Sequence, residues 1–164
     1  MRDVKHVLRA WGPVLFWIGL IALESTDTFS SAHTGSFLFY IASALFGSVN
    51  LHWLELINAA LRKAGHVVGY ATLSLLLFRA LRLSFGSAAE SLRDARRWAL
   101  YATVLTMAVA ALDEFHQSFL PSRTGAVHDV VLDTLAAACM QAAVLITLRL
   151  RSRRILQQKS QAAD

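Results

Sequence analysis

The sequence predicts an all-α polytopic membrane protein, a four-transmembrane-helix bundle with an extra re-entrant or interfacial helix between spans 1 and 2. Hydrophobic residues make up 55% of the 164-residue chain and charged residues only 16%. The mean hydropathy is +0.47, which is too apolar for a domain with a wholly water-exposed surface. Four uncharged apolar cores recur along the chain, and most basic residues fall into three blocks around them.

The four apolar cores predict four membrane spans. They cover residues 10–23, 64–78, 98–112 and 134–148. Each core holds 14 or 15 residues, whereas crossing the hydrocarbon layer takes about 20, so each span must extend into its polar flanks. Within a single domain covering 1–164, the expected elements are spans at about 7–24, 63–82, 97–118 and 126–148, and a basic tail at 149–164.

The first core follows a basic start, which is typical of both a cleaved signal peptide and a first membrane span. Residues 30–32 read SSA, a poor cleavage sequence, and the rest of the chain is equally apolar. An uncleaved first span is therefore the favoured interpretation. Cys139 is the only cysteine, so the chain forms no internal disulfide.

The longest uncharged stretch, residues 28–54, raises the question of a fifth span. Thirteen of the 16 basic residues lie before the first core, between the second and third, or after the fourth. Basic loops stay in the cytoplasm, so an even number of crossings must separate each block from the next. Four spans meet this condition and five do not. This predicts cytoplasmic termini and makes 36–49 a re-entrant or interfacial element on the outer side.

The acidic residues mark the opposite side of the membrane. The sequence pI is about 10.0, but basic residues held in three cytoplasmic blocks do not form the patch that nucleic-acid binding needs. No nucleic-acid partner is expected. Seven of the 11 acidic residues fall on the predicted outer side: Glu24, Asp27, Glu55, Asp113, Glu114, Asp129 and Asp133.

Residues 113–125 read DEFHQSFLPSRTG and join the third core to the fourth. If the third helix continues through them, Asp113 and Gln117 are i, i+4 neighbours, and Glu114 lies beside them. Pro121 then ends the helix, and Arg123 follows in a turn. Span length therefore predicts that the first half of this stretch belongs to the membrane helix rather than to a solvated loop.

Two other helices present polar groups at the same membrane face. Lys63, His66 and Tyr70 follow the i, i+3, i+7 spacing of one helix face at the start of the second span. Asp129 and Asp133 lie one turn apart in the fourth. Because ionisable groups at membrane depth are costly and usually face a cavity or a partner, the three helix ends predict a polar pocket.

Each of these residues also has a structural interpretation. Asp113 and Glu114 can mark the water boundary of the third span, and Asp129 can favour a helix N-terminus. Arg123 can simply pair with an acid, since its guanidinium suits carboxylate and phosphate equally. A histidine such as His66 on an apolar face is more often hydrogen-bonded than catalytic.

A metal site is not expected from the sequence. His116 and His128 lie beside acidic residues, but no zinc-type spacing of His and Cys is present. The sequence therefore predicts neither a bound metal nor another cofactor.

Together these residues resemble the VanZ-like family of small bacterial membrane proteins, over roughly residues 11–148. The family pattern usually places asparagine, then a nearby glycine, after the first aspartate of the last span, whereas this chain has Asp133 and an alanine there. A weaker correspondence is the serine-containing stretch at 24–31. The main matches are Asp113-Glu114-x-x-Gln117, Pro121-x-Arg123, Asp129 with Asp133, and Lys63-x-x-His66-x-x-x-Tyr70.

The resemblance implies a multi-span protein of the bacterial inner (cytoplasmic) membrane that acts in the cell envelope. The named member of the family is associated with resistance to teicoplanin, a lipid-bearing glycopeptide that binds cell-wall precursors. Because a fold does not fix a function, resistance in one member does not make every relative a resistance factor.

Three functions are compatible with the predicted pocket. In the first, the protein binds or modulates an anionic membrane lipid, a cell-wall precursor or an amphiphilic glycopeptide. In the second it is a membrane-embedded hydrolase or transferase on a lipid-linked substrate, with His66, His116, Asp113 and Glu114 as catalytic candidates. In the third, an oligomer transports protons through a relay of ionisable side chains. The ligand-binding candidates are Lys63, His66, Tyr70, Asp113, Glu114, Gln117, Arg123, Asp129 and Asp133.

Overall fold

A computed structural model gives the protein as five α-helices and, in the part of the chain it describes, no β-strand. The described residues are 3–27, 30–87, 91–121 and 125–161. The helices in chain order are α1 (Val4–Glu24), α2 (Ser31–Phe46), α3 (Leu51–Phe85), α4 (Leu92–Gln117) and α5 (Val127–Gln161). By length and composition α1, α3, α4 and α5 can each cross a membrane, and α2 is shorter. The predicted fold class is confirmed.

α3 is longer than the span expected to begin at residue 63, because the helix starts at Leu51 and runs for 35 residues. The Asn50 side chain accepts hydrogen bonds from the backbone N–H groups of His52 and Trp53 and so caps this earlier start. At 1.5 Å per residue α3 is about 52 Å long, well beyond the roughly 30 Å of hydrocarbon that it has to cross. Hydropathy predicts the span, whereas capping sets the end of the helix.

The start of α4 follows the same rule, and α5 runs further than its apolar core. α4 begins at a capping box, in which Ser91 and Asp94 exchange side-chain and backbone hydrogen bonds. α5 continues without a break to Gln161, through the basic segment expected to be a tail after residue 148. The polar continuation of α5 is therefore helical although it is too charged to lie in the hydrocarbon layer.

α2 lies against the first half of α3. The Asn58 side chain of α3 donates a hydrogen bond of 3.0 Å to the Ser31 carbonyl oxygen at the start of α2. Gly35 leaves room for the same asparagine, since a Cβ there would lie 3.3 Å from its amide nitrogen. The helix ends at Phe46 and is followed by Gly47, whose φ of 74° suits glycine. The predicted extra element between spans 1 and 2 is thus one continuous helix and is not broken into two shorter helices.

α3, α4 and α5 form the packed centre of the bundle. Small residues on the facing surfaces let the helices approach closely, among them Ala102, Ala110 and Ala137, each fully buried. The Gln141 side-chain amide of α5 donates to the carbonyl and hydroxyl oxygens of Ser74 in α3, both at 2.8 Å. Close packing and polar links between helices replace the hydrophobic driving force that lipid does not supply.

α1 packs on α3 in the opposite direction. Its two indole N–H groups donate across the contact, from Trp11 to the Ser84 hydroxyl and from Trp17 to the Gly69 carbonyl, each at 2.9 Å. At the basic end of the bundle the Arg79 guanidinium donates to the Arg9 carbonyl oxygen. The start of α1 therefore meets the end of α3, and the buried acidic residues gather at the other end.

The close approach of the central helices generates a stability prediction. We expect Ala137→Leu to lower the free energy of unfolding by about 1–3 kcal/mol, because the larger side chain has no space at a fully buried position. Equilibrium unfolding in mixed detergent micelles, followed by circular dichroism, measures the change.

The neighbouring residue supplies the control. Ala138 is exposed on the same helix, so Ala138→Leu should change the free energy of unfolding by less than about 0.5 kcal/mol. Equal destabilisation by both variants would contradict the packing described for α5.

Candidate functional site

Buried polar side chains from four helices meet at one end of the bundle. α1 contributes Ser25 after its last turn, α3 contributes His66 and Tyr70, α4 contributes three residues of its last turn, and α5 contributes Asp133. We call the set formed by Ser25, His66, Tyr70, Asp113, Glu114, Gln117 and Asp133 the polar cluster.

Asp113 is the hub of the polar cluster. Its Oδ2 atom accepts hydrogen bonds of 2.9 Å from the Tyr70 hydroxyl and from the Gln117 side-chain amide. The same amide also donates to the Ser25 hydroxyl at 3.3 Å, and that hydroxyl donates to the Ile21 carbonyl oxygen. One carboxylate thereby joins α3 and α4 and, through Gln117, α1.

Glu114 holds the connection between α4 and α5. Its Oε2 atom accepts a hydrogen bond of 2.8 Å from the backbone N–H of Ala126. The chain passes so close that a Cβ on Gly125 would overlap the Glu114 carbonyl oxygen, which explains the glycine at the end of the predicted turn. The side chain of Glu114 is itself buried, with 6% of the residue exposed.

His66 and Asp133 form the third part of the polar cluster. The His66 Nδ1 atom lies 3.3 Å from Asp133 Oδ2. Asp133 is fully buried, and its Oδ1 atom has no hydrogen-bond partner among the described residues. His66 is less enclosed, with 26% of its side chain exposed, so it faces both the buried acids and the surroundings.

The polar cluster is rich in acidic groups. Asp113, Glu114 and Asp133 bring three buried carboxyl groups together, and the imidazole of His66 is the one basic group that contacts them within the described ranges. His66, Glu114 and Asp133 each place one potential metal-ligand atom within 4.8 Å of the others. Burying carboxylates is costly unless they are paired or coordinate a cation, so this composition requires an explanation.

A cavity of about 360 Å³ opens beside His66, between the end of α1, α2 and α3. Its apolar wall includes Phe37, Leu38 and Leu61, and its polar wall includes Glu24, Asn58 and Arg62 together with His66. We call it the α2–α3 cavity. A second cavity, of about 610 Å³, lies further along the same groove and shares Asn58 and Arg62 with the first.

Six of the nine sequence-predicted ligand-binding residues belong to the polar cluster, and the other three are placed differently. Lys63 is exposed, makes no hydrogen bond or ion pair with a described residue, and does not line either cavity. Asp129 lies at the edge, where it pairs with His128 at 3.2 Å and acts electrostatically on Glu114. Arg123 falls outside the described residues.

Three of the four catalytic candidates predicted from the sequence belong to the polar cluster, and the fourth does not. His66, Asp113 and Glu114 are in the polar cluster, whereas the His116 side chain is exposed and makes no hydrogen bond or ion pair with them. His116 follows Glu114 by two residues, and a two-residue step turns a side chain to the far face of a helix.

Sequence reasoning missed several residues of the site. In the sequence Ser25 is only part of a weak family correspondence, yet its hydroxyl accepts a hydrogen bond from the Gln117 amide. Arg62, Asn58 and Glu24 line the cavity, but the sequence singles out only Glu24, as an acid on the predicted outer side. A usable signal was present, since Asn58 and Arg62 share a helix face at i, i+4 once α3 is extended back to residue 51.

The hub at Asp113 generates a prediction about stability. Tyr70→Phe removes one of two donors to a buried carboxylate, so we expect the free energy of unfolding in mixed micelles to fall by about 1–2 kcal/mol. Tyr101→Phe is the matched control, because Tyr101 is exposed and donates no hydrogen bond to the described residues.

Gln117→Leu extends this test. Because both donors share the Asp113 Oδ2 atom, the double variant should depart from additivity by at least about 0.5 kcal/mol. Strict additivity, or equal effects of Tyr70→Phe and Tyr101→Phe, would show that Asp113 does not act as a shared acceptor.

Comparison with known proteins agrees with the geometry. No curated protein and no solved structure matches the chain. The family model described as VanZ/LLP1 matches residues 10–149, which include all four long apolar helices except the first residues of α1 and the basic end of α5. The chain belongs to the VanZ/LLP1 family.

Proposed function

We propose that this VanZ-family membrane protein binds or modulates an amphiphilic molecule of the bacterial envelope that carries an anionic group. The candidate ligands are an anionic membrane lipid, a lipid-linked cell-wall precursor and a lipoglycopeptide such as teicoplanin. The observation that carries the proposal is the α2–α3 cavity, which combines an apolar wall with charged residues. Its volume of about 360 Å³ falls within the range of small-molecule sites.

The anionic group of the ligand binds at Arg62 in this proposal. Arg62 lines both cavities, and its guanidinium can donate two parallel hydrogen bonds to a phosphate or a carboxylate. Asn58 lies one turn away on the same wall. The buried acids of the polar cluster repel an anion, so the anionic group binds away from them in this proposal.

The apolar part of the ligand lies between α2 and α3. Phe37, Leu38 and Leu61 line that side of the cavity. The outer surface of α2 exposes further large apolar side chains, including Tyr40 and Phe46. In a bilayer such a surface contacts acyl chains, so an amphiphile can enter from the lipid without crossing water.

The orientation in the membrane follows from charge. Both termini and the basic segment between α3 and α4 lie in the cytoplasm, and the polar cluster and the α2–α3 cavity open to the outer face of the inner membrane. That side carries the cell-wall precursors that teicoplanin binds, which fits the family resemblance.

A membrane-embedded hydrolase or transferase is the second candidate function, because His66 lines the cavity and also pairs with the buried Asp133. A histidine oriented by a carboxylate can act as a general base. Release of a new product from labelled envelope lipids by the purified protein would favour this alternative, and the His66→Gln variant should then be inactive.

Binding of the anionic group at Arg62 is tested by substituting two neighbouring basic residues, one of which is Arg62 itself. We expect Arg62→Gln to weaken binding about tenfold or more, because a charge-assisted hydrogen bond contributes about 1.5–3 kcal/mol. Short-chain phosphatidylglycerol and teicoplanin are titrated separately against the protein in detergent, and native mass spectrometry measures the bound fraction. Phosphatidylcholine of the same chain length should bind weakly to every variant.

Lys63→Gln is the matched control. It removes the same charge one residue away, from a side chain that lies outside both cavities, so affinity should stay within about twofold. A loss of binding in Lys63→Gln but not in Arg62→Gln would move the ligand out of the α2–α3 cavity. Equal affinity of all variants for both probes would refute anion binding at this site.

The orientation has its own test. In a Cys139→Ala background, Ser118→Cys should react with a membrane-impermeant maleimide in spheroplasts, because residue 118 is exposed just beyond the acidic end of α4. Ser152→Cys, in the basic end of α5, should react only after the membrane is permeabilised. The reverse pattern would overturn the assignment of both termini to the cytoplasm.

A further inference from the structure

We propose that His66, Glu114 and Asp133 bind a divalent transition-metal ion, Zn²⁺ or Mn²⁺, where α3, α4 and α5 meet. The inference goes beyond amphiphile binding and does not depend on it. It rests on the placement of three ligand-type atoms, on an unpartnered carboxylate oxygen and on the charge of the polar cluster.

The geometry of the three side chains suits a single ion. One imidazole nitrogen and one oxygen of each carboxylate lie within 4.8 Å of one another. Three atoms so spaced all lie within about 2.8 Å of a common point, so each has to move by no more than about 0.7 Å to reach a metal–ligand distance of about 2.1 Å. The 3.3 Å between His66 Nδ1 and Asp133 Oδ2 is close to the roughly 3.4 Å that separates two ligands in a tetrahedral site.

Asp133 supplies an observation independent of the spacing. Its side chain is fully buried at the junction of the three helices, and Oδ1 has no hydrogen-bond partner within the described part of the chain. A buried carboxylate oxygen without a donor is rare and costly. A cation bound by both oxygens of the Asp133 carboxylate, together with Glu114 and His66, provides Oδ1 with the partner that it lacks.

The charge balance points the same way. Three carboxyl groups are buried together, and no lysine or arginine of the described ranges is paired with any of them. A protonated His66 compensates only one negative charge. A divalent ion bound to the neutral imidazole supplies two positive charges, which is the more complete match for Glu114 and Asp133.

Surrounding contacts already hold the ligands in place. The backbone N–H of Ala126 binds Glu114 Oε2, which fixes that carboxylate against the start of α5. Asp113, next in sequence to Glu114, is held by Tyr70 and Gln117. Hydrogen bonds of this kind orient metal ligands and raise affinity.

The donor set selects the class of metal. One imidazole and two carboxylates suit Zn²⁺ and Mn²⁺ better than Cu⁺, which prefers sulfur, or Ca²⁺, which prefers oxygen alone. Three protein ligands leave at least one coordination position open. Because His66 also lines the α2–α3 cavity, the ion would lie next to the cavity wall.

The sequence did not reveal this site because its ligands come from three different helices. Zinc motifs are recognised by close spacing along one segment, whereas His66, Glu114 and Asp133 are far apart in the chain.

Metal titration of the full chain tests the proposal. The protein in nanodiscs is stripped with a chelator and titrated with ZnCl₂ or MnCl₂ alone, without added amphiphile. Competition with a chromophoric chelator measures affinity, and elemental mass spectrometry measures stoichiometry. We expect one ion per chain, and we expect Asp133→Asn, Glu114→Gln and His66→Gln each to lower affinity by more than about 100-fold, since loss of even an outer contact costs 10–100-fold.

Two control variants remove the same residue types, a histidine and an aspartate, at positions outside the polar cluster. His128 is exposed, and Asp3 caps the far end of α1, so His128→Asn and Asp3→Asn should bind the ion as the unmodified chain does. Circular dichroism establishes the helicity of each variant. If one ligand variant does not fold, the other two decide the outcome.

Co²⁺ provides a spectroscopic readout. Bound to the unmodified chain, it should give visible absorption bands that are typical of a nitrogen- and oxygen-ligated site, and these bands should be absent in His66→Gln. Absence of a stoichiometric ion in the unmodified chain would overturn the proposal, as would equal affinity in ligand variants and controls. Neither result bears on anion binding at Arg62, which is measured without metal.

Discussion

The burial of three carboxyl groups in an otherwise apolar bundle is the constraint on which the rest of the structure depends. Lipid offers no water to hydrogen-bond a polar atom, so partners must come from the protein. Asp113 takes two donors from α3 and α4, and Glu114 takes a backbone N–H before α5. These contacts fix the positions of the helices relative to one another along the bundle axis. Apolar packing alone would let the helices slide past one another.

The length of α3 explains why a cavity lies beside the buried carboxyl groups. A helix of 35 residues reaches beyond the hydrocarbon layer, and its extra turns provide the surface on which α2 rests. Asn58 and Gly35 set the contact between the two helices. Because α2 lies along α3 rather than within the central packing, a groove remains between them, and His66 lies where this groove meets the buried acids.

The sequence predicted what depends on local pattern. Charge blocks and uncharged cores gave four spans and one extra helix, and helical spacing brought Asp113 next to Gln117. It did not predict the start of α3, since an asparagine cap such as Asn50 is not visible in hydropathy. Lys63 was assigned to the pocket instead of Arg62, because a one-residue step rotates a side chain by about 100° and the position of α2 was unknown.

His66 is the one residue that belongs to both the polar cluster and the α2–α3 cavity. Any group that contacts its ring from the cavity changes the strength of its contact with Asp133, and any cation held by Asp133 and Glu114 changes the charge that the cavity presents. Under the two proposals, binding of the amphiphile and binding of the cation are linked through one imidazole, and linkage is reciprocal. A cation at the acids favours an anion in the cavity by reducing the negative potential there. In these proposals the polar cluster and the cavity wall at Arg62, which oppose each other when considered separately, act as two halves of one site.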